Sequence, residues 1–346
     1  MGKTENGKYR AAVVGCGAIA PNHVRGILSA GQSLCALCDT EPEQARRLSE
    51  RFGLSVPVYT DVVELLERER PDVLHLCTPH YLHAPMCCAA LGRGVNVLCE
   101  KPLGISTADL ERIAAAEAES PATLGVCLQN RYEPNFLRLR EIAAREGIAA
   151  AFGTVAWKRD ADYYRSGAWR GRWETEGGGV MINQALHTLD LLQWLCGMPA
   201  EVTAHLSNDH LAGEIEVEDT ATGRFRLPGG GCFHLFATTA CAESFPAQIQ
   251  LITRAGHRYF ADNATLTCDG EPLAGERCAT AGKSVWGNGH CRLIADFYRC
   301  LAAGQRFPID GEEGGRVVRL ILAMYESGRT GGGVALTETK EREEQS

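Results

Sequence analysis

The sequence predicts an α/β protein that opens on a doubly wound parallel sheet, and three observations carry that prediction. From Arg10 onward, short apolar runs alternate with amphipathic helical patterns, the arrangement of βαβ units. The first run, AAVVG, feeds directly into a glycine-rich turn. The second, within SLCALCD, closes on an acid, Asp39.

The strand candidates in order are AAVVG, LCALCD, DVLHLC, NVLCE and TLGVCL. Their near-continuous apolar character suits a sheet covered by helices on both faces. Between them lie EPEQARRLSERFG, ending on Gly53, and APMCCAALGRG, ending on Gly94, and glycine just past a helix is the expected stop. The turn after the first strand reads Gly15-Cys16-Gly17-Ala18-Ile19-Ala20, a G-x-G-x-x-A pattern that opens a helix. Gly15 permits the tight turn, Gly17 lets a pyrophosphate approach the backbone, and Ala20 keeps helix and strand close. Phosphate charge then meets a helix N-terminus. Asp39 lies 24 residues after Gly15, where a carboxylate suits the ribose hydroxyls of NAD and repels the extra phosphate of NADP. The fourth run, VNVLC, delivers Glu100, Lys101 and Pro102 to its carboxyl end, the side on which open parallel sheets bind ligands.

With 346 residues the chain is comfortable for two domains. The expected boundary lies near Asn130: a dinucleotide-binding domain over 1–130 and an α/β domain for substrate and oligomer contacts over 131–346, with a solvated, disordered tail from about 338. A helix over 133–147 bridges the two. β-rich stretches dominate 200–270: TATGRFRL, GGCFHLFATT and AQIQLITRAG. The formal charge of -8 argues against nucleic acid or anionic membranes as partners. Neither a leader nor a bilayer-length apolar stretch is visible, so the expectation is a cytoplasmic protein. Most of the fifteen cysteines sit in apolar runs and read as free thiols. The single C-x-x-C, Cys35 and Cys38, lies in a strand with no second pair, so no metal is expected.

GCGAIA, the CTPHYLH stretch from Cys77 to His83, CEKPLG, and GGGVMINQALHTLDLLQWLCG at 177–197 together resemble the Gfo/Idh/MocA family of NAD(P)-dependent oxidoreductases. GNGHCRLIADFYRCL and VVRLILAMYESGRTGGGVAL resemble that family's last helices. The resemblance implies a Rossmann domain followed by an α/β domain with a large open, mainly antiparallel sheet. It also implies that Thr78, Pro79, His83, Glu100, Lys101 and Pro102 join the glycine-rich turn along the cofactor, and that the helix after the three glycines carries a catalytic histidine, His187.

Oxidising a secondary alcohol needs a hydride acceptor and a group that removes the hydroxyl proton. His187 is the natural base, and Lys101 would stabilise the negative charge growing on oxygen. Asn183, His187 and Asp190 fall at i, i+4 and i+7, one face of a helix. Asn183 would bind a neighbouring sugar hydroxyl, while Asp190 either orients the imidazole or is a buried structural acceptor. Members resembling inositol dehydrogenase carry aspartate where Asn183 stands, and branches with asparagine resemble nucleotide-sugar and glycoside dehydrogenases. Residues 157–173, WKRDADYYRSGAWRGRW, hold five aromatic and five basic residues. Trp169, Arg170 and Tyr163 are pocket candidates, because aromatic faces stack on pyranose rings and arginine grips carboxylate or phosphate. An exposed loop or a subunit contact would have the same composition. Arg131, Tyr132 and His290 are further substrate-binding candidates.

The expected function is NAD-dependent hydride transfer with a sugar-like small molecule, in a homodimer or homotetramer built through the C-terminal sheet. Two alternatives share the fold: a glycoside-cleaving enzyme that oxidises its substrate transiently, and an inactive nucleotide-sensing regulator. The regulator would be marked by loss of Lys101 or His187, and both are present.

Overall fold

The computed structural model describes residues 7–273 and 289–336. The expected tail from about 338 lies outside them. The chain folds into two compact units, whose described residues are 7–133, 174–177 and 289–318 in the first and 134–173, 178–273 and 319–336 in the second.

The first unit contains strands β1 (Arg10–Val14), β2 (Ser33–Cys38), β3 (Val58–Tyr59), β4 (Val73–Leu76), β5 (Asn96–Cys99) and β6 (Leu124–Val126). They form one parallel sheet in the order β3-β2-β1-β4-β5-β6. The order reverses between β1 and β4, which opens a crevice at their carboxyl ends. All five apolar runs read from the sequence are strands here; β3, only two residues long, carries no period to detect. Helices α1 (Ala20–Ser29), α2 (Pro42–Arg51), α3 (Val62–Glu69), α4 (His83–Leu91) and α5 (Thr107–Glu119) supply the crossovers. Gly53 and Gly94 follow α2 and α4 at φ +62° and +70°.

The division departs from the continuous boundary expected near Asn130. Beyond α6 (Pro134–Glu146) and the short α7 (Ala161–Arg165) and α8 (Leu186–Cys196), the chain supplies α9 (Gly289–Ala303) to the first unit. There Ile294 fills the space above Gly26 of α1, and Phe297 and Phe307 cover Gly125 of β6. The apolar stripe of α9 is plain in the sequence, but a stripe does not name the sheet that buries it.

Among the described residues, the second unit is built on nine strands. They are β7 (Ile148–Ala156), β8 (Glu201–Ser207), β9 (Thr220–Arg226), β10 (Cys232–Thr238), β11 (Gln248–Thr253), β12 (Arg258–Ala261), β13 (Leu266–Cys268), β14 (Glu271–Pro272) and β15 (Val334–Ala335). Their order is β14-β13-β12-β11-β7-β10-β9-β8-β15. Every pair is antiparallel except β10 with β7. Burial alternates along β9, β10 and β11, so one face is covered and the other open. Phe152, Phe236 and Ile252 stand exposed on the open side. The last helix, α10 (Gly311–Thr330), starts in the first unit and ends in the second.

The cysteines among the described residues are all free thiols. No described helix is long and apolar enough to cross a membrane.

Candidate active site

In the first unit the glycine-rich turn is fixed by its neighbours. Gly15 has φ +86°, and a Cβ there would come within 2.5 Å of the Cys77 carbonyl oxygen and 2.9 Å of the Thr78 nitrogen. Only glycine fits. At Gly17 a Cβ would meet nothing within 4 Å, so this backbone faces open space. Ala18 is exposed, Ile19 half-buried and Ala20 buried. Ile19 occupies the N-cap of α1 and offers no side-chain hydrogen bond. Asp39 is held by two backbone donors: the Cys16 N–H reaches its Oδ2 at 2.7 Å and the Glu41 N–H its Oδ1 at 2.9 Å. Each oxygen keeps a lone pair for another donor.

Thr78 and Pro79 follow β4, and Thr78 Oγ1 is buried with no hydrogen-bond partner among the described residues. His83, the first residue of α4, is fully buried and ties two loops together. Its Nδ1 lies 2.6 Å from the Pro102 carbonyl oxygen and its Nε2 lies 2.9 Å from that of Thr78. Two carbonyl partners ask for a proton on each nitrogen, which burial opposes. Lys101 is half-buried, its backbone N–H donating to Glu100 Oε2 at 3.1 Å.

Glu100 turns inward. Its Oε1 accepts from His23 Nε2 at 3.0 Å and from His290 Nε2 at 3.1 Å. His23 Nδ1 lies 2.9 Å from His75 Nδ1, and His75 Nε2 lies 2.8 Å from the Tyr298 hydroxyl. Because a carboxylate only accepts, every proton in this chain has one place. Tyr298 O–H donates to His75, His75 Nδ1–H to His23, and His23 Nε2–H to Glu100. Burial alone would raise the Glu100 carboxyl, but the hydrogen bonds from His23 and His290 outweigh it and hold the group well below the usual range. Cys127 Sγ stands 3.9 Å from His23 Nε2.

In the second unit the three glycines enter the helix bearing His187 through Glu218, an acid that no motif in the sequence marks. Gly179 N–H donates to Glu218 Oε2 at 2.9 Å, Val180 N–H to the Glu218 carbonyl at 3.0 Å, and Met181 N–H to Oε1 at 3.0 Å. One residue thus satisfies three successive donors of a helix start. Tyr325 O–H adds a bond to Oε1 at 3.1 Å, and a Cβ on Gly178 would overlap that hydroxyl. Burial raises the Glu218 carboxyl to about 7 despite the Met181, Gly179 and Tyr325 donors. No local pattern in IEVEDTATG links it to the glycines. The link is made by tertiary contact alone.

Met181–Ala185 forms a wide π-type turn ahead of α8. This differs from the regular α-spacing expected for Asn183, His187 and Asp190, since such a turn slips the phase by about a residue; π-turns of this kind recur at functional sites. Asn183 is half-buried, His187 is 8% exposed, and Asp190 is fully buried.

Four of the substrate-side candidates form one cluster in this unit. Tyr163 Oη accepts from Arg170 Nη1 at 2.6 Å and from Asn183 Nδ2 at 3.3 Å, with Gln184 Nε2 at 3.4 Å. The Arg170 guanidinium lies 4.4 Å from the Trp169 ring centroid. Gln184 and Arg159, which also stacks on Tyr163, carry no signal in the sequence that sets them apart. The other three candidates have internal partners in the first unit. Buried Arg131 pairs with Glu313 at 2.7 Å, Tyr132 O–H donates to Asp296 at 2.7 Å, and His290 faces Glu100.

Family models agree with this geometry. The model described as "Oxidoreductase family, NAD-binding Rossmann fold" matches residues 9–128, and the GFO/IDH/MocA C-terminal domain model matches residues 147–257. The chain belongs to the Gfo/Idh/MocA family. A D-glucoside 3-dehydrogenase of Escherichia coli K12 is 25% identical, over 94% of this chain and 97% of the relative. A myo-inositol 2-dehydrogenase of Thermotoga maritima is 22% identical over 92% of this chain and 96% of its own length. The WlbA dehydrogenase of Bordetella pertussis, solved with NADH and UDP-GlcNAcA, superposes with a TM-score of 0.84 at 28% identity, covering 95% of this chain and 98% of that one.

The residues of this Gfo/Idh/MocA chain fit the dinucleotide of its family. Open backbone at Gly17, a helix start with no side-chain cap, a Thr78 hydroxyl with no partner among the described residues and an oriented Asp39 carboxylate all lie at carboxyl ends of the parallel strands.

Proposed function

We propose that this Gfo/Idh/MocA oxidoreductase is an NAD-dependent dehydrogenase of a ring hydroxyl in a sugar or sugar derivative, with Lys101 and His187 at the reacting oxygen. The observation that carries the reading is the second unit's arrangement. A helix start clamped by Glu218 presents Asn183 beside a Tyr163, Trp169 and Arg170 cluster suited to a pyranose, four residues before His187.

NAD, when bound, supplies the hydride acceptor. Gly15, Gly17, Ala18, Ile19 and Ala20 receive its pyrophosphate, Asp39 its ribose hydroxyls, and Thr78, Pro79 and Pro102 line its path, with His83 serving from behind by holding the Thr78 and Pro102 carbonyls. Asp39 gives the preference for NAD over NADP, because a ribose phosphate would meet the carboxylate's negative charge. Glu100 serves through Lys101, holding its backbone amide. His187 takes the hydroxyl proton, Lys101 stabilises the charge left on oxygen, and Asn183 holds a neighbouring hydroxyl. Arginine and tyrosine beside Asn183 favour glycosides and nucleotide sugars over inositol, as in the glucoside and UDP-GlcNAcA named for two relatives.

The first unit is read as the cofactor domain and the second as the substrate domain. Phe152, Phe236 and Ile252 on the open sheet face support a homodimer or homotetramer through that sheet. Free thiols suit a reducing cytoplasm. A panel of monosaccharides, glycosides and nucleotide sugars followed at the NADH absorbance tests the reading. One NADH per substrate consumed is expected. Glycoside cleavage without NADH would favour transient oxidation, and no NAD binding at all would overturn both.

A further inference from the structure

The segment around Tyr163 carries more positive charge than its own acids neutralise. Within 157–173 stand Lys158, Arg159, Arg165, Arg170 and Arg172 against Asp160 and Asp162. Both acids are engaged: Asp160 accepts from the Tyr163 N–H at 3.1 Å, and Asp162 pairs with Arg165 at 3.2 Å. Arg165 also takes Glu214 at 2.7 Å. Arg159 and Arg170 have no carboxylate partner among the described residues.

These two guanidiniums converge on one ring. Arg159 Cζ lies 4.6 Å and Arg170 Cζ 4.5 Å from the Tyr163 centroid, so they stand no more than about 9 Å apart. An aromatic face holds a cation through its quadrupole without neutralising it. Both arginines are half-buried, and Arg159 Nε is buried with no hydrogen-bond partner among the described residues. Like charges gathered in partial shelter repel. What completes such an arrangement is an anion, and guanidinium forks match carboxylate and phosphate oxygens. The ring that holds them is itself bonded to Asn183, four residues before His187.

We infer that Arg159 and Arg170 form an anion subsite and that the sugar acted on carries a carboxylate or phosphate group. This deepens the dehydrogenase reading and rests on it for the reaction, though not for the binding. Substrate enters with its anion between the two arginines, and the Tyr163 to Asn183 bond places that group within a sugar's length of the helix bearing His187.

The test measures kcat/KM with NAD for methyl glucoside, glucuronate, glucose 1-phosphate and UDP-glucuronate, in the natural protein and in Arg159→Gln and Arg170→Gln. The ratio of anionic to neutral substrate is expected to exceed about 10 and to fall about 10-fold in each variant, as the loss of a charge-assisted contact predicts. Response of glucuronate or of glucose 1-phosphate identifies the carboxylate or the phosphate as the group held. Calorimetric titration of the same compounds into NAD-loaded protein reads binding without turnover, and salt should weaken it. Arginine-dependent binding with no turnover of any compound would uphold the subsite and remove the dehydrogenase reading. A ratio unchanged in both variants, with binding indifferent to the arginines, would overturn the subsite while leaving that reading intact.

Discussion

Gly179 and Glu218 hold each other twice over. The Gly179 N–H donates to the Glu218 carboxylate at 2.9 Å, and the position a Cβ would take on Gly179 is already filled by the Glu218 carbonyl oxygen. The acid two residues before β9 and the helix start therefore approach as closely as backbone allows. The helix so fixed carries Asn183 and His187.

Gly179→Ala should force that contact apart. A strained or displaced backbone of this kind costs about 1–3 kcal/mol. The expected result is a melting temperature lower by several degrees and a fall in kcat, with NADH fluorescence enhancement on binding preserved. An alanine variant with unchanged kcat would show that the clamp does not serve the reaction.

Glu218 also predicts a pH dependence of stability. Its carboxyl sits at about 7 in the fold against 4.5 for a free side chain, so between these values the folded state binds more protons than the unfolded one. Stability from this group therefore falls as pH rises through the window, by about 3 kcal/mol in all. Glu218→Gln should flatten that part of the profile in denaturant melts from pH 5 to pH 8. An identical slope in both proteins would refute the assignment.

The buried histidines work in the opposite sense. Burial lowers His75 well below its ordinary value and lowers His23 less far, so the unfolded chain binds protons near pH 6 that the fold does not. Their contribution is present above about 6.5 and is lost as pH falls. His75→Gln should be less stable at pH 8 yet lose less stability between pH 7 and pH 5. Parallel curves for the two proteins would reject this account.

Lys101→Ala and His187→Ala should each lower turnover about 100-fold or more while NAD still binds, the size of oxyanion and general-base contributions. Steady-state rates beside a cofactor titration separate the two effects. Near-normal turnover in either variant removes that residue from the reaction.

Asp39→Ala should relax discrimination against NADP by about 10-fold or more, a change of one charged contact. The ratio of kcat/KM for the two cofactors is the readout. A natural protein that already prefers NADP would end the argument from Asp39.

The parallel sheet was legible because its signals are local. Apolar runs, a glycine turn and helix-stop glycines each declare themselves within a dozen residues. Tyr163, Trp169 and Arg170 stand out by composition and Asn183 by its spacing to His187, and the structure gathers them into one cluster. Glu218, His23 and His75 could not, since their partners lie 37 to 223 residues away. The same holds for α9, whose amphipathic pattern fits either sheet, and for buried Arg131, whose partner Glu313 is 182 residues distant.

The ribosome finishes the first sheet's strands long before it makes the helix that covers them. Until residues 289–303 emerge, His75 and Glu100 lack Tyr298 and His290, and Gly26 and Gly125 lack the side chains of Ile294 and Phe297. The nascent nucleotide-binding half must therefore wait, incompletely sealed, through synthesis of most of the other half. A gene truncated between the two would yield an aggregation-prone fragment rather than a working cofactor module.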